Sequence, residues 1–130
     1  MTADTSESLY ARMGGEPALR AVIDDFVDRA FDDIMIGYLF RNADRARVKE
    51  LEFQHASEFL GGPHQYQGRS LQAAHARHRI MGGQFARRLQ LLRQVFAAHS
   101  VPEDVQAAFL AHNEALRDQI TAQANGTCQS

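Results

Sequence analysis

The chain has one cysteine, Cys128, no tryptophan and no long apolar run. A single cysteine excludes an intrachain disulfide, and nothing else asks for an oxidising compartment, so a cytoplasmic location is the expectation. No stretch approaches the roughly 18 consecutive apolar residues of a membrane span. The opening MTADTSES lacks the basic-then-apolar order of a secretory leader, so no membrane partner is expected. Charge of one sign is missing too. Fourteen Lys and Arg against sixteen Asp and Glu leave −2, which gives no electrostatic reason for a nucleic-acid partner. Internal repeats, low-complexity segments and convincing strand alternation are all absent.

What is present is helical periodicity. With 130 residues, 45% hydrophobic and 23% charged, the chain fits one globular domain with one core. Residues 1–8 and 124–130 read as flexible ends around a domain spanning 9–123. From Pro17, apolar residues recur as Leu19, Val22, Ile23, Phe26, Val27, Ala30 and Phe31, the stripe of an amphipathic helix. Asp44 can cap a second helix that Gly61-Gly62-Pro63 stops near Leu60. Ser70 opens a short helix around His75. Phe85, Leu89, Leu92 and Phe96 mark a fourth helix, widened by Leu91 and Val95. After HSVPED, a fifth follows on Val105, Phe109, Leu116 and Ile120. The predicted fold class is all-α. Short helices joined by glycine turns can close around a flat cofactor or form a plain bundle, and periodicity leaves both open.

The stretch LGGPHQYQGRSLQAAHARHRI, residues 60–80, gathers Gly61, Gly62, Gly68, Pro63 and Tyr66 ahead of His75. Neutral imidazole is a good iron ligand, and a haem needs one such group among apolar residues. A lone histidine among alanines is, as a rule, a structural or surface residue. Context decides between them.

The chain resembles the truncated haemoglobins, the two-over-two helical globins, most closely their group I, over about residues 9–122. The resemblance rests on LYARMGGEPALRAVIDDF, on the stretch 60–80 ending in Ile80 with the Phe85 that follows, and on the late VP between the last two helices. Gly14-Gly15, Gly61-Gly62 and Gly68 fall where that family places its glycine hinges. The resemblance implies a truncated globin fold around haem b, with His75 as the proximal iron ligand and Phe40 stacked on the haem. It implies an apolar lining of Val48, Leu51, Leu71, Ile80, Phe85 and Leu92. Tyr66 and His78 fall where relatives reach the haem propionates, although surface placement fits them equally. His64 and His99 read as exposed loop residues, and His112 as a satisfied histidine at the core edge.

The ligand-facing side departs from the family. Relatives carry a tyrosine in the first long helix whose hydroxyl donates to the ligand, and counting from DDF this chain has Val27. Glu52 stands where a neutral donor is common, His55 where phenylalanine is common, and Arg88 where valine is common. Val48, Leu51, Glu52, His55 and Phe59 share one stripe of the second helix, which would aim a carboxylate and an imidazole at the pocket. Arg88 opposite Glu52 would offset the cost of burying either charge alone. The competing stripe of Lys49, Phe53, Ala56 and Leu60 would instead leave Glu52 and His55 at the solvent edge.

The expected function is binding of oxygen, nitric oxide or another small ligand at a His75-ligated iron. Oxygen would be held weakly, because Val27 offers no hydrogen bond. Storage or transport of oxygen is one role in this class. Nitric oxide dioxygenation or peroxide reduction is another, assisted by Glu52, His55 and Arg88 and fed by a reductase. A haem-free, globin-like interaction domain is the alternative from a different class.

Overall fold

The computed structural model describes residues 8–65 and 82–129. The short helix expected around His75, with Tyr66, Leu71, His78 and Ile80, lies outside the described residues. The described elements are α1 (Leu9–Arg12), α2 (Gly15–Asp32), a 3-10 turn (Gly37–Phe40), α3 (Arg45–Leu60), α4 (Gly82–Ala98) and α5 (Glu103–Gln129). No strand occurs among the described residues. The helices α2 and α3 form one layer, α4 and α5 the other, and α2 crosses onto α4. The architecture is the two-over-two sandwich.

Local chemistry sets the element ends. Gly14 caps α2 with φ 113°, and Gly15 follows at 74°, both in the left-handed region that a side chain disfavours. Pro17 falls in the first turn of α2, where its missing N–H costs nothing. Asp44 Oδ1 accepts from the Ala46 and Arg47 backbone N–H at 3.0 and 3.3 Å and starts α3. Gly61, at φ 90°, ends it. A Cβ on Gly62 would run into Ser57 Oγ and the Tyr10 ring, so the chain leaves α3 pressed against α1.

The core follows the expected stripes except at their ends, where Phe31 and Leu116 are half-buried and the Ile120 side chain lies outside the described residues. From α2 it takes Leu19, Val22, Ile23, Phe26, Val27 and Ala30; from α4, Phe85, Leu89, Leu91, Leu92, Val95 and Phe96; from α5, Val105 and Phe109. Burial of these side chains is the main stabilising term, about 1.5–3 kcal/mol for each large one. Along the α2–α3 seam, Arg45 joins Asp28 and Asp32, Lys49 joins Asp28, and Arg20 joins Glu16 and Glu50. These pairs are largely exposed and orient the helices more than they stabilise them. After α2, Asp33 Oδ2 accepts from the Met35 and Ile36 N–H groups at 2.9 and 3.1 Å, while Oδ1 takes Arg87 Nε at 2.9 Å. Arg87 foremost, helped by those backbone N–H groups, holds the Asp33 carboxyl below the usual carboxylate range. Toward the C-terminus α5 continues helically to Gln129, through residues 124–129 that composition marks as a tail. No proline interrupts that run, and extending a formed helix adds one bond per residue.

Candidate functional site

On α3 the two stripes that the sequence offers as rivals are both in use, at different depths. Phe53, Ala56, Ser57 and Leu60 are buried, whereas Val48, Leu51, Glu52, His55 and Phe59 are half-buried beside them. Lys49, from the first stripe, stays at the seam with Asp28. Glu52 and His55 therefore lie neither deep in the core nor at the solvent edge. They line a face shared with α4 and α5.

Arg88 of α4 meets Glu52 fork to fork, NH1 to Oε2 at 3.3 Å and NH2 to Oε1 at 3.4 Å. Its Nε donates to Asn113 Oδ1 of α5 at 3.0 Å, and its guanidinium lies 4.9 Å from the Phe26 ring centre on α2. The Arg88 and Glu52 side chains are 25% and 28% exposed, so water screens the pair only in part. Removing one partner leaves a half-desolvated charge. Val27 is buried beside Phe26 and offers no hydrogen-bonding group.

His55 faces His112 of α5, Nε2 to Nε2 at 3.2 Å. Two neutral imidazoles can share that contact only if one ring donates and the other accepts. The Phe59 ring stacks on His112 with centroids 3.8 Å apart and planes 13° from parallel, which fixes the His112 plane. Burial pushes the His55 imidazole below the ordinary histidine range, with Glu52 and Glu58 pulling upward against Arg88. Burial foremost, then His55 and Arg88, pushes His112 the same way. The pair is thus held neutral near pH 7.

The remaining expected residues are more scattered. Phe40 stacks on Phe31, ring centres 4.8 Å apart, and both line an open recess of about 450 Å³ with Gly37, Tyr38 and Arg41. Phe85 and Leu92 are core residues of α4. His64 corrects the sequence reading of an exposed loop residue. It is half-buried, 3.2 Å from Ser57 Oγ and edge-on to Phe53, because the Gly61-Gly62 turn folds it back over α3. His99, exposed as expected, bonds Asp25 at 2.9 Å. Asn113 was missed. Its signal is faint: a polar residue four positions after Phe109 on a stripe that otherwise wants apolar side chains. No three His, Cys, Asp or Glu gather as a metal site among the described residues, which do not include His75.

The helix order, the two layers and the glycine caps define a two-over-two globin. Residues 8–122 match the family model described as Bacterial-like globin. Group 1 truncated haemoglobin GlbN from a Nostoc species is 31% identical over 106 residues, 78% of this chain and 86% of that one. Its namesake from Mycolicibacterium paratuberculosis is 27% identical over 113 residues, 87% and 83% of the two chains. The crystal structure of the Tetrahymena pyriformis truncated haemoglobin in its Fe(III) form superposes with a TM-score of 0.80. That likeness comes at 23% identity, over 88% of this chain and 97% of that one. The chain belongs to the bacterial-like globin family and, within it, to the group I truncated haemoglobins, which bind haem and a small ligand.

Proposed function

We propose that residues 9–123 bind haem b with His75 as the proximal ligand, and that the half-buried face of α3 and α4 is the ligand side. The residues suit such a group. Val48, Phe59 and Phe40 are apolar side chains left half-buried against the core, and Leu51 on the same face is half-buried too. A flat apolar cofactor needs such a wall. The observation that carries the reading is the Arg88–Glu52 pair, held by Asn113 and Phe26 on a face where packing alone would place apolar residues.

When bound, haem would supply an iron that takes a diatomic or similarly small ligand. The chain's own residues then set selectivity. Arg88 has five N–H donors, and its bonds to Asn113 and Glu52 use three of them. The other two meet no acceptor among the described residues and are the donors offered to a ligand. Val27 gives no donor, which supports weak retention of oxygen and favours turnover or sensing over storage and transport. Glu52 and the neutral His55–His112 pair can hold or pass a proton, which peroxide reduction requires, whereas nitric oxide dioxygenation consumes no proton and would draw on the Arg88 donors instead. A reductase would restore the iron, and a cytoplasmic setting would supply one.

Adding haem to the purified protein should produce a Soret band that saturates at one haem per chain. In His75→Ala that affinity should be lost or made dependent on added imidazole. A protein that takes up no haem is instead the haem-free interaction domain. Oxygen dissociation should be fast and should slow by roughly tenfold or more in Val27→Tyr, the worth of one good donor.

A further inference from the structure

Asn113 is one of two polar residues buried as a whole among the described residues, 3% exposed in the middle of α5. A leucine there would continue the stripe from Val105 and Phe109 at no polar cost. Both ends of the amide are instead satisfied. Nδ2 donates to the Phe109 carbonyl one turn back at 3.0 Å, and Oδ1 accepts from Arg88 Nε at 3.0 Å. The first bond decides the second. With Nδ2 committed to its own helix, the oxygen must face the guanidinium, and a flipped amide would set donor against donor.

The guanidinium is thereby gripped on two edges, by Asn113 at Nε and by Glu52 at NH1 and NH2, and it lies over Phe26. A planar fork bonded on one edge can still swing about its stem. Bonded on two, it has one orientation. The grip comes from α3 and α5, with α2 beneath, so the aim of Arg88 is set by the fold and not by its own helix.

We infer that Asn113 is a positioning residue for the ligand side: it aims the Arg88 guanidinium, and with it the Glu52 carboxylate, so that the uncommitted N–H groups present one geometry to a ligand. The inference rests on the proposed haem reading, in which Arg88 faces the ligand.

The test uses haem-loaded protein, reduced and exposed to carbon monoxide, whose C–O stretch reports the field of nearby donors. The original protein should give one narrow band. Asn113→Leu, with haem uptake unchanged, should give two or more bands as Arg88 samples several orientations, and the Arg88 Nε–H resonance should move in the NMR spectrum. Asn113→Asp gives up the bond to the Phe109 carbonyl but keeps an acceptor for Nε, and should retain a single band, shifted by the added charge. Asn113→Ser, too short to reach Arg88, serves if the leucine variant does not fold and should also split the band. A single unshifted band in the leucine or serine variant, even with lowered stability, makes Asn113 merely structural and overturns the inference. Failure of the original protein to bind haem overturns the underlying reading instead, so the two failures are distinct.

Discussion

Phe53 and Glu52 are neighbours on α3, yet they meet opposite surroundings. Phe53 is 1% exposed, with Arg20 lying over its ring and the His64 edge against it. Glu52 turns the other way, toward a cation on α4 that an amide on α5 holds in place. The first face is filled and would serve in any helical bundle. The second pairs charges and imidazoles where a plain bundle would place leucine or valine. The filled face stabilises the helix, and the polar face keeps groups that packing does not need. Such a residue choice points to a ligand.

Substitutions on the two faces should separate these roles. The largest effect belongs to Phe53→Ala, which empties a closed site and should cost about 3–5 kcal/mol in denaturant unfolding. The position of the carbon monoxide band should barely move. If Phe53→Ala shifts that band as strongly as changes on the polar face do, the division fails.

Arg88→Leu comes next. It takes the Arg88 bonds away from the Glu52 carboxylate and the Asn113 oxygen, and should cost about 1–3 kcal/mol, the range for charge-assisted hydrogen bonds. Adding Glu52→Gln should recover part of that loss, so the double variant should be less damaged than the sum of the single ones. Strict additivity would mean that the two side chains do not act together.

The smallest effect is pH-dependent. His55 and His112 have folded pKa values below the ordinary histidine value, chiefly through burial. The unfolded chain therefore binds protons at a higher pH than the folded one. Their neutral state costs nothing above about pH 6.5, and stability falls progressively as pH drops below it. His55→Phe should flatten the stability profile between about pH 6.5 and 5, leaving the plateau at pH 8 nearly unchanged. An unchanged slope in that window would place the acid sensitivity elsewhere, Asp33 being the next group to lose a partner as pH falls further.

The parts of this picture that were legible in the sequence are the local ones. Asp44 as a cap, Gly61 as a stop and the α2 stripe follow from neighbours within a turn or two, and the structure has them where the pattern sets them. Pairing of Arg88 with Glu52 was legible because each breaks the apolar pattern expected of its position, and opposite charges seek each other. Asn113 and the His55–His112 contact were not, since they depend on how α5 is rotated against α3 and α4. No local spacing carries that angle. Four-residue elements such as α1 and the 3-10 turn at Gly37–Phe40 were missed for a simpler reason: they are too short to show a period. His64 misled because a histidine after Gly-Gly-Pro reads as loop, while the turn itself brings it back onto Phe53.

The claim that matters most is that the polar face of α3 and α4 looks at the ligand. Infrared spectra of the carbon monoxide complex, original against Arg88→Leu, test it directly. A cationic donor beside the ligand draws electron density toward it and lowers the C–O stretch, so Arg88→Leu should shift the band to higher frequency while haem uptake stays intact. A band that stays in place within its width would contradict the account, leaving Arg88, Glu52 and Asn113 as a structural cluster remote from the ligand.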